Sequence, residues 1–187
     1  HRNEYIGNQY NDFLEEDDEF KFMKALIANY ILEGIYFYSG FAFFYNLGRN
    51  GKMPGTVQEI RYINRDENTH LWLFRSLIND LKKERSDLFT EEHIKYYTAM
   101  LKEGVDQEIA WGKYAIGDNI SGLNGNMIED YIKYLGNLRA KGLGFDSLYE
   151  GHTEIPDSMK WVEEYADPNK VKTCLLYTSD AADDMQC

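Results

Sequence analysis

The chain has 187 residues, 43% hydrophobic and 28% charged, with 20 Lys plus Arg against 32 Asp plus Glu for a net charge of −12. This composition excludes a disordered chain, and its acidity argues against a nucleic-acid or anionic-membrane binder. The length suits one domain with a real core, and with only 3 prolines long uninterrupted helices are permitted.

Helical periodicity marks four long segments, and none shows sustained two-residue alternation. The first is predicted over residues 17–47, with Asp17, Asp18 and Glu19 at a start that suits the helix dipole. Gly48-Arg49-Asn50-Gly51 ends it. The second is predicted over residues 54–85, with Pro54 near the first helical position. Residues 86–90 connect it to a third over residues 90–117, where Thr90 is the expected N-cap ahead of Glu91 and Glu92. A Gly/Asn-rich loop over residues 117–125 leads to the fourth, over residues 126–141. Beyond Gly144 the chain reads as irregular, with a short helix around residues 157–164. The expected fold class is all-α, a helical bundle with short connections.

From Ile27 to Leu47 the first helix is apolar nearly all round, with Glu33 its one charge. Such a helix is a membrane span or the core of a sizeable protein. Glu33 in the middle, the tyrosines and the lack of a basic flank argue against a span. The two cysteines, Cys174 and Cys187, form no CxxC pair and no Cys/His ligand spacing, which argues against zinc or thiol redox chemistry. With no signal-peptide pattern, the expected compartment is the cytoplasm.

Three polar residues, Glu33, Glu67 and His70, stand where apolar ones belong. On the second helix, Ile60, Ile63, Glu67, His70, Phe74, Leu77 and Leu81 follow steps of three and four, which makes one face. On the first, Leu26, Tyr30, Glu33, Phe37, Gly40 and Phe44 do the same. Two carboxylates in one core raise each other's pKa and cost several kcal/mol unless compensated. A divalent metal resolves the conflict, and carboxylates with a neutral imidazole suit iron or manganese. The structural alternative is that Glu67 and His70 bond one another, or that Arg61 and Arg65 pair the carboxylates. If the metal reading holds, the three polar ends should lie within roughly 3–6 Å of one another between antiparallel helices, given bonds of ~2 Å. Glu108 and Trp111 read as structural, and His93 and His152 as exposed.

The segments Ile31-Leu32-Glu33-Gly34-Ile35-Tyr36-Phe37-Tyr38-Ser39-Gly40-Phe41 and Ile60-Arg61-Tyr62-Ile63-Asn64-Arg65-Asp66-Glu67-Asn68-Thr69-His70 resemble the class I ribonucleotide reductase small subunit. Glu108-Ile109-Ala110-Trp111, Ser121-Gly122-Leu123-Asn124 and residues 131–139 continue the similarity, which spans about residues 15–166. The resemblance implies a ferritin-like helical bundle with a di-iron centre, or a manganese/iron or di-manganese one. It implies a radical made there and passed to a large subunit that reduces ribonucleotides, and a small-subunit homodimer with no membrane or nucleic-acid partner. Carried over by motif, Glu33, Glu67 and His70 would be metal ligands and Asp66 a radical relay. Phe37, Phe41 and Ile63 would form the apolar pocket beside the metals.

The departures are as informative. The family needs an earlier carboxylate, another Glu-x-x-His and a radical Tyr, and this chain holds no second Glu-x-x-His. Residues 1–166 therefore read as the C-terminal part of the small-subunit domain, an incomplete bundle, with residues 167–173 as a linker. Residues 174–184 resemble the in-frame translation of a sequencing-library adapter, so residues 174–187 read as a non-native tail. The chain alone is expected to be inactive. A competing reading is a ferritin-like di-iron storage or oxidase protein; the Arg65-Asp66-Glu67 context favours the reductase.

Overall fold

The computed structural model describes residues 2–16 and 18–167. Among the described residues seven helices follow one another: α1 (Arg2–Glu15), α2 (Glu19–Gly34), α3 (Tyr38–Arg49), α4 (Pro54–Glu84), α5 (Glu91–Ile116), α6 (Gly125–Gly142) and α7 (Trp161–Ala166). Short 3-10 turns cover Ser86–Phe89 and Asp157–Met159. The chain is all-α, with no strand among the described residues. The adapter-like stretch lies outside the described residues. None of the described helices is long and apolar enough to cross a membrane.

The helix starts follow local chemistry. Asp18 accepts from the Lys21 N–H at 2.8 Å, and Thr90 from the His93 N–H at 3.2 Å. Asn124 accepts from the N–H groups of Asn126 and Met127 at 3.0 Å each. Pro54 opens α4 where its missing N–H costs nothing, after Met53 at φ +50°.

Side-chain pairings give the directions. Glu19 meets Arg85 at one end of α2 and Gly34 meets Leu71 at the other, so α4 runs antiparallel to α2. It continues antiparallel along α3, where Tyr45 meets Asn64 and Gly48 meets Val57. Ile31 against Gly104 and Ser39 against Gly112 make α5 parallel to α2 and α3. The core between them holds Tyr30, Ile31, Tyr45, Ile78, Leu101, Val105, Ile128 and Ile132, all essentially inaccessible to solvent.

Three expectations change. The continuous helix over residues 17–47 is two helices: Ile35 leaves helical geometry at φ −134°, ψ −51°, and residues 35–37 form a turn. Side chains from α1, α5 and α6 hold the backbone groups that this break frees, so tertiary structure overrides an apolar pattern that reads as one helix. Residues 2–15, which carry no strong periodic signal, form α1 against α2. On α4 the buried line is Val57, Asn64, Leu71 and Ile78, roughly 80° round the helix from the predicted seam at ~100° per residue. The line packs on α2 and α3, which leaves the predicted seam at its edge: Leu77 is exposed and Ile60, Phe74 and Leu81 are half-buried.

Candidate metal centre

Glu33 lies in the last turn of α2, before the break. Glu67 and His70 lie one turn apart on α4, which crosses it. An i,i+3 pair shares a helix face, so one helix presents two donors and its antiparallel neighbour the third. His70 Nδ1 stands 2.9 Å from Glu67 Oε2 and 3.5 Å from Glu33 Oε2. One ligand atom from each of the three lies within 4.8 Å of the others. The carboxylates are largely covered, at 16% and 14% side-chain exposure, while His70 is 52% exposed at the edge.

The electrostatics follow from this crowding. Burial first, then the hydrogen bond and charge of Glu67, push the Glu33 carboxyl up to about 7, and His70 opposes them. The hydrogen bond that Glu67 accepts from the His70 ring holds the imidazole above its usual value, with Glu33 adding to it. Within the group, the His70 ring is the one side chain able to carry positive charge beside the two adjacent carboxylates. Arg65 does not serve them, because it bonds Asp66 at 3.0 and 3.1 Å. Arg61 places its guanidinium 4.8 Å from the Tyr165 ring centroid. The donor set of two carboxylates and an imidazole fits a divalent ion with ~2 Å bonds, since such an ion holds neighbouring ligand atoms about 3–4 Å apart.

The other predicted residues divide. Phe37 and Phe41 line one cleft of about 250 Å³, their ring centroids 6.1 Å apart, with Leu32, Phe44 and Trp111. Ile63 does not line it: Ile60 does, and Ile63 is 43% exposed. The rotation of α4 that buries Val57 and Asn64 turns Ile63 outward. Asp66 is exposed on α4 against Arg65, away from the cleft.

The histidines read as exposed are both half-buried. His93 stacks on Phe20 at 4.6 Å, and His152 bonds the Glu150 carbonyl at 2.7 Å. Both are held by neighbours distant from the trio. Glu108, read as structural, is fully buried and bonds Arg2 and the Ser39 N–H at 3.1 Å, partners that were not legible. Its spacing of four from Gly104 and Gly112 on one face of α5 is the only sequence signal of that contact.

Known proteins share this sequence pattern and fold. The family model "Ribonucleotide reductase, small chain" matches residues 1–156. Ribonucleoside-diphosphate reductase subunit beta of Treponema pallidum is 60% identical over 172 residues, 92% of this chain and 49% of that protein. Its counterpart in Halalkalibacterium halodurans is 41% identical over the same shares. The solved ribonucleotide reductase R2 subunit from Clostridium botulinum superposes with a TM-score of 0.84 at 47% identity, covering 89% of this chain and 52% of that one. The chain thus spans about half the length of the relatives it matches.

Proposed function

The chain belongs to the ribonucleotide reductase small-chain family, and on that premise we propose that it is part of the radical-generating subunit of a ribonucleoside-diphosphate reductase. The observation that carries this is the convergence of Glu33, Glu67 and His70 from two antiparallel helices in a family member. Glu33, Glu67 and His70 would hold one metal of a two-metal centre, iron, manganese or both. When bound, such a centre supplies the one-electron oxidising power that a radical subunit needs. The remaining ligands and the radical-bearing side chain are proposed to lie in the half of the family's length that this chain does not span.

The chain's own residues have definite work in this scheme. Glu33 and Glu67 bring negative charge, and Glu33 gives up its shared proton when a cation enters. His70 turns its ring edge toward both carboxylates and contributes a neutral nitrogen. Phe37 and Phe41, with Ile60 rather than Ile63 beside them, line an apolar cleft that is proposed as the pocket beside the metals. Asp66 is proposed to pass charge between the site and the surface, where its exposure on α4 suits contact with a partner. The partner proposed is the family's large subunit, with a second small subunit across a dimer and the cytoplasm as the compartment. The reductase names of the relatives support this over iron storage.

The test is a chimera in which residues 2–167 replace the matching half of the Treponema pallidum relative. With iron or manganese, oxygen and large subunit, it should show an organic radical by electron paramagnetic resonance and form deoxyribonucleotides. Glu67→Ala in the chimera should abolish both. A folded chimera that loads no metal would contradict the proposal. The 187-residue chain alone should give neither signal.

A further inference from the structure

The break between α2 and α3 starts two residues after Glu33, and its backbone pairing can be followed group by group. An unbroken helix would join the Tyr38 N–H to the Gly34 carbonyl and the Ser39 N–H to the Ile35 carbonyl. Here the Tyr38 N–H donates instead to the Ile35 carbonyl at 3.2 Å. That leaves the Gly34 carbonyl and the Ser39 N–H to find partners outside the helix. Arg139 of α6 donates its Nε–H to the Gly34 carbonyl at 3.1 Å. The Ser39 N–H donates to Glu108 Oε1 of α5 at 3.1 Å. Arg2 of α1 bonds the other Glu108 oxygen and donates to the Tyr36 carbonyl at 3.1 Å.

Glu108 is delivered at close range. A Cβ at Gly104, one turn before it, would lie 2.4 Å from Ile31 Cγ2, and one at Gly112, one turn after, 2.7 Å from Ser39 Oγ. Only glycine at both positions lets α5 lie this close to α2 and α3. Glu108 itself is fully buried, and a buried carboxylate there is otherwise costly. Its carboxylate accepts the Ser39 N–H, one of the first-turn N–H groups of α3 that the break leaves without a helical partner.

We propose that Glu108 is a positioning residue for the metal site. By accepting the Ser39 N–H it fixes where the helix breaks, and so fixes the last turn of α2 that aims Glu33 at Glu67 and His70. A one-residue shift of the break would turn the side chains on one side of it by ~100° relative to those on the other, and so change how Glu33 is aimed relative to α3. The inference rests on the reading of Glu33, Glu67 and His70 as metal ligands.

The experiment is a Co²⁺ titration of the 187-residue chain, followed by ligand-field absorption, with helicity checked by circular dichroism. Wild type should bind, and Glu67→Ala should lose the site. Glu108→Ala should keep its helicity, bind at least tenfold more weakly and shift the absorption band. Glu108→Gln, which retains an oxygen for the Ser39 N–H, should restore the band and most of the affinity. Should Glu108→Ala not fold, Glu108→Met fills the same space without an acceptor and is read by the same criteria. A folded Glu108→Ala or Glu108→Met with the wild-type band and affinity overturns this inference alone. A wild type that binds no Co²⁺ overturns the ligand reading as well.

Discussion

Lowering the pH from 7.5 to 6.0 should sharply weaken metal capture, because the site must shed protons to bind. A metal takes an ionised carboxylate and a neutral imidazole. Glu33 is held up at about 7, so it is largely protonated at pH 6, and the Glu67 and Glu33 carboxylates hold His70 above its usual value, so its proton is also harder to displace. Each displaced proton weakens apparent affinity about tenfold per pH unit below its pKa. Over this range Glu33 alone accounts for roughly eightfold, and the raised His70 adds to the loss. Isothermal titration with Mn²⁺ in two buffers of different ionisation enthalpy counts the protons directly. Between one and two should leave per ion at pH 6. Flat affinity with no proton release would refute the reasoning. The same groups give the metal-free chain the opposite trend. Raised pKa values favour the protonated folded state, so that contribution is present at low pH and lost as pH rises through about 7. Added Mn²⁺ should reverse the sign, stabilising more as pH rises.

Other consequences concern the scaffold. Gly104→Ala forces a Cβ to within 2.4 Å of Ile31 Cγ2. Overpacking costs about 1–3 kcal/mol and the gain in helix propensity returns about 1, so urea unfolding should show a net loss; a stabilised variant would deny the close α2–α5 contact. Asn137 accepts from the Leu148 and Tyr149 N–H groups at 2.8 and 3.0 Å and donates to the Tyr149 and His152 carbonyls at 2.8 and 2.9 Å. Asn137→Ala should cost about 2–4 kcal/mol, with faster hydrogen exchange at the Leu148 and Tyr149 amides. Thr90→Ala removes the acceptor for the His93 N–H and should cost about 1 kcal/mol in thermal unfolding, a change that an unformed cap would not produce.

The helix starts marked by Pro54 and Thr90 were legible because each is decided by a few adjacent residues. The trio was legible for a related reason: Glu33, Glu67 and His70 break apolar patterns in a way that local sequence makes visible. The break at residues 35–37 was not, because its stabilising groups, Arg2, Glu108 and Arg139, come from three distant parts of the chain. Periodicity alone also could not choose between adjacent faces of α4. Both the predicted seam and the line Val57, Asn64, Leu71, Ile78 are compatible with a helix, and packing on α2 and α3 selects the second. Ile63 was misplaced for that reason, and the burial of Asn64 becomes intelligible only once its bond to the Tyr45 hydroxyl at 2.8 Å is known.

The account stands most directly on where a metal goes. Crystals of the 187-residue chain grown with Mn²⁺ and measured for anomalous scattering locate the ion without reference to activity. The account predicts a peak between α2 and α4, roughly 2–2.5 Å from an oxygen of Glu33, an oxygen of Glu67 and a nitrogen of His70, absent in Glu67→Ala crystals. A well-ordered structure with these three side chains still bonded to one another, and no peak between them at saturating Mn²⁺, would contradict it.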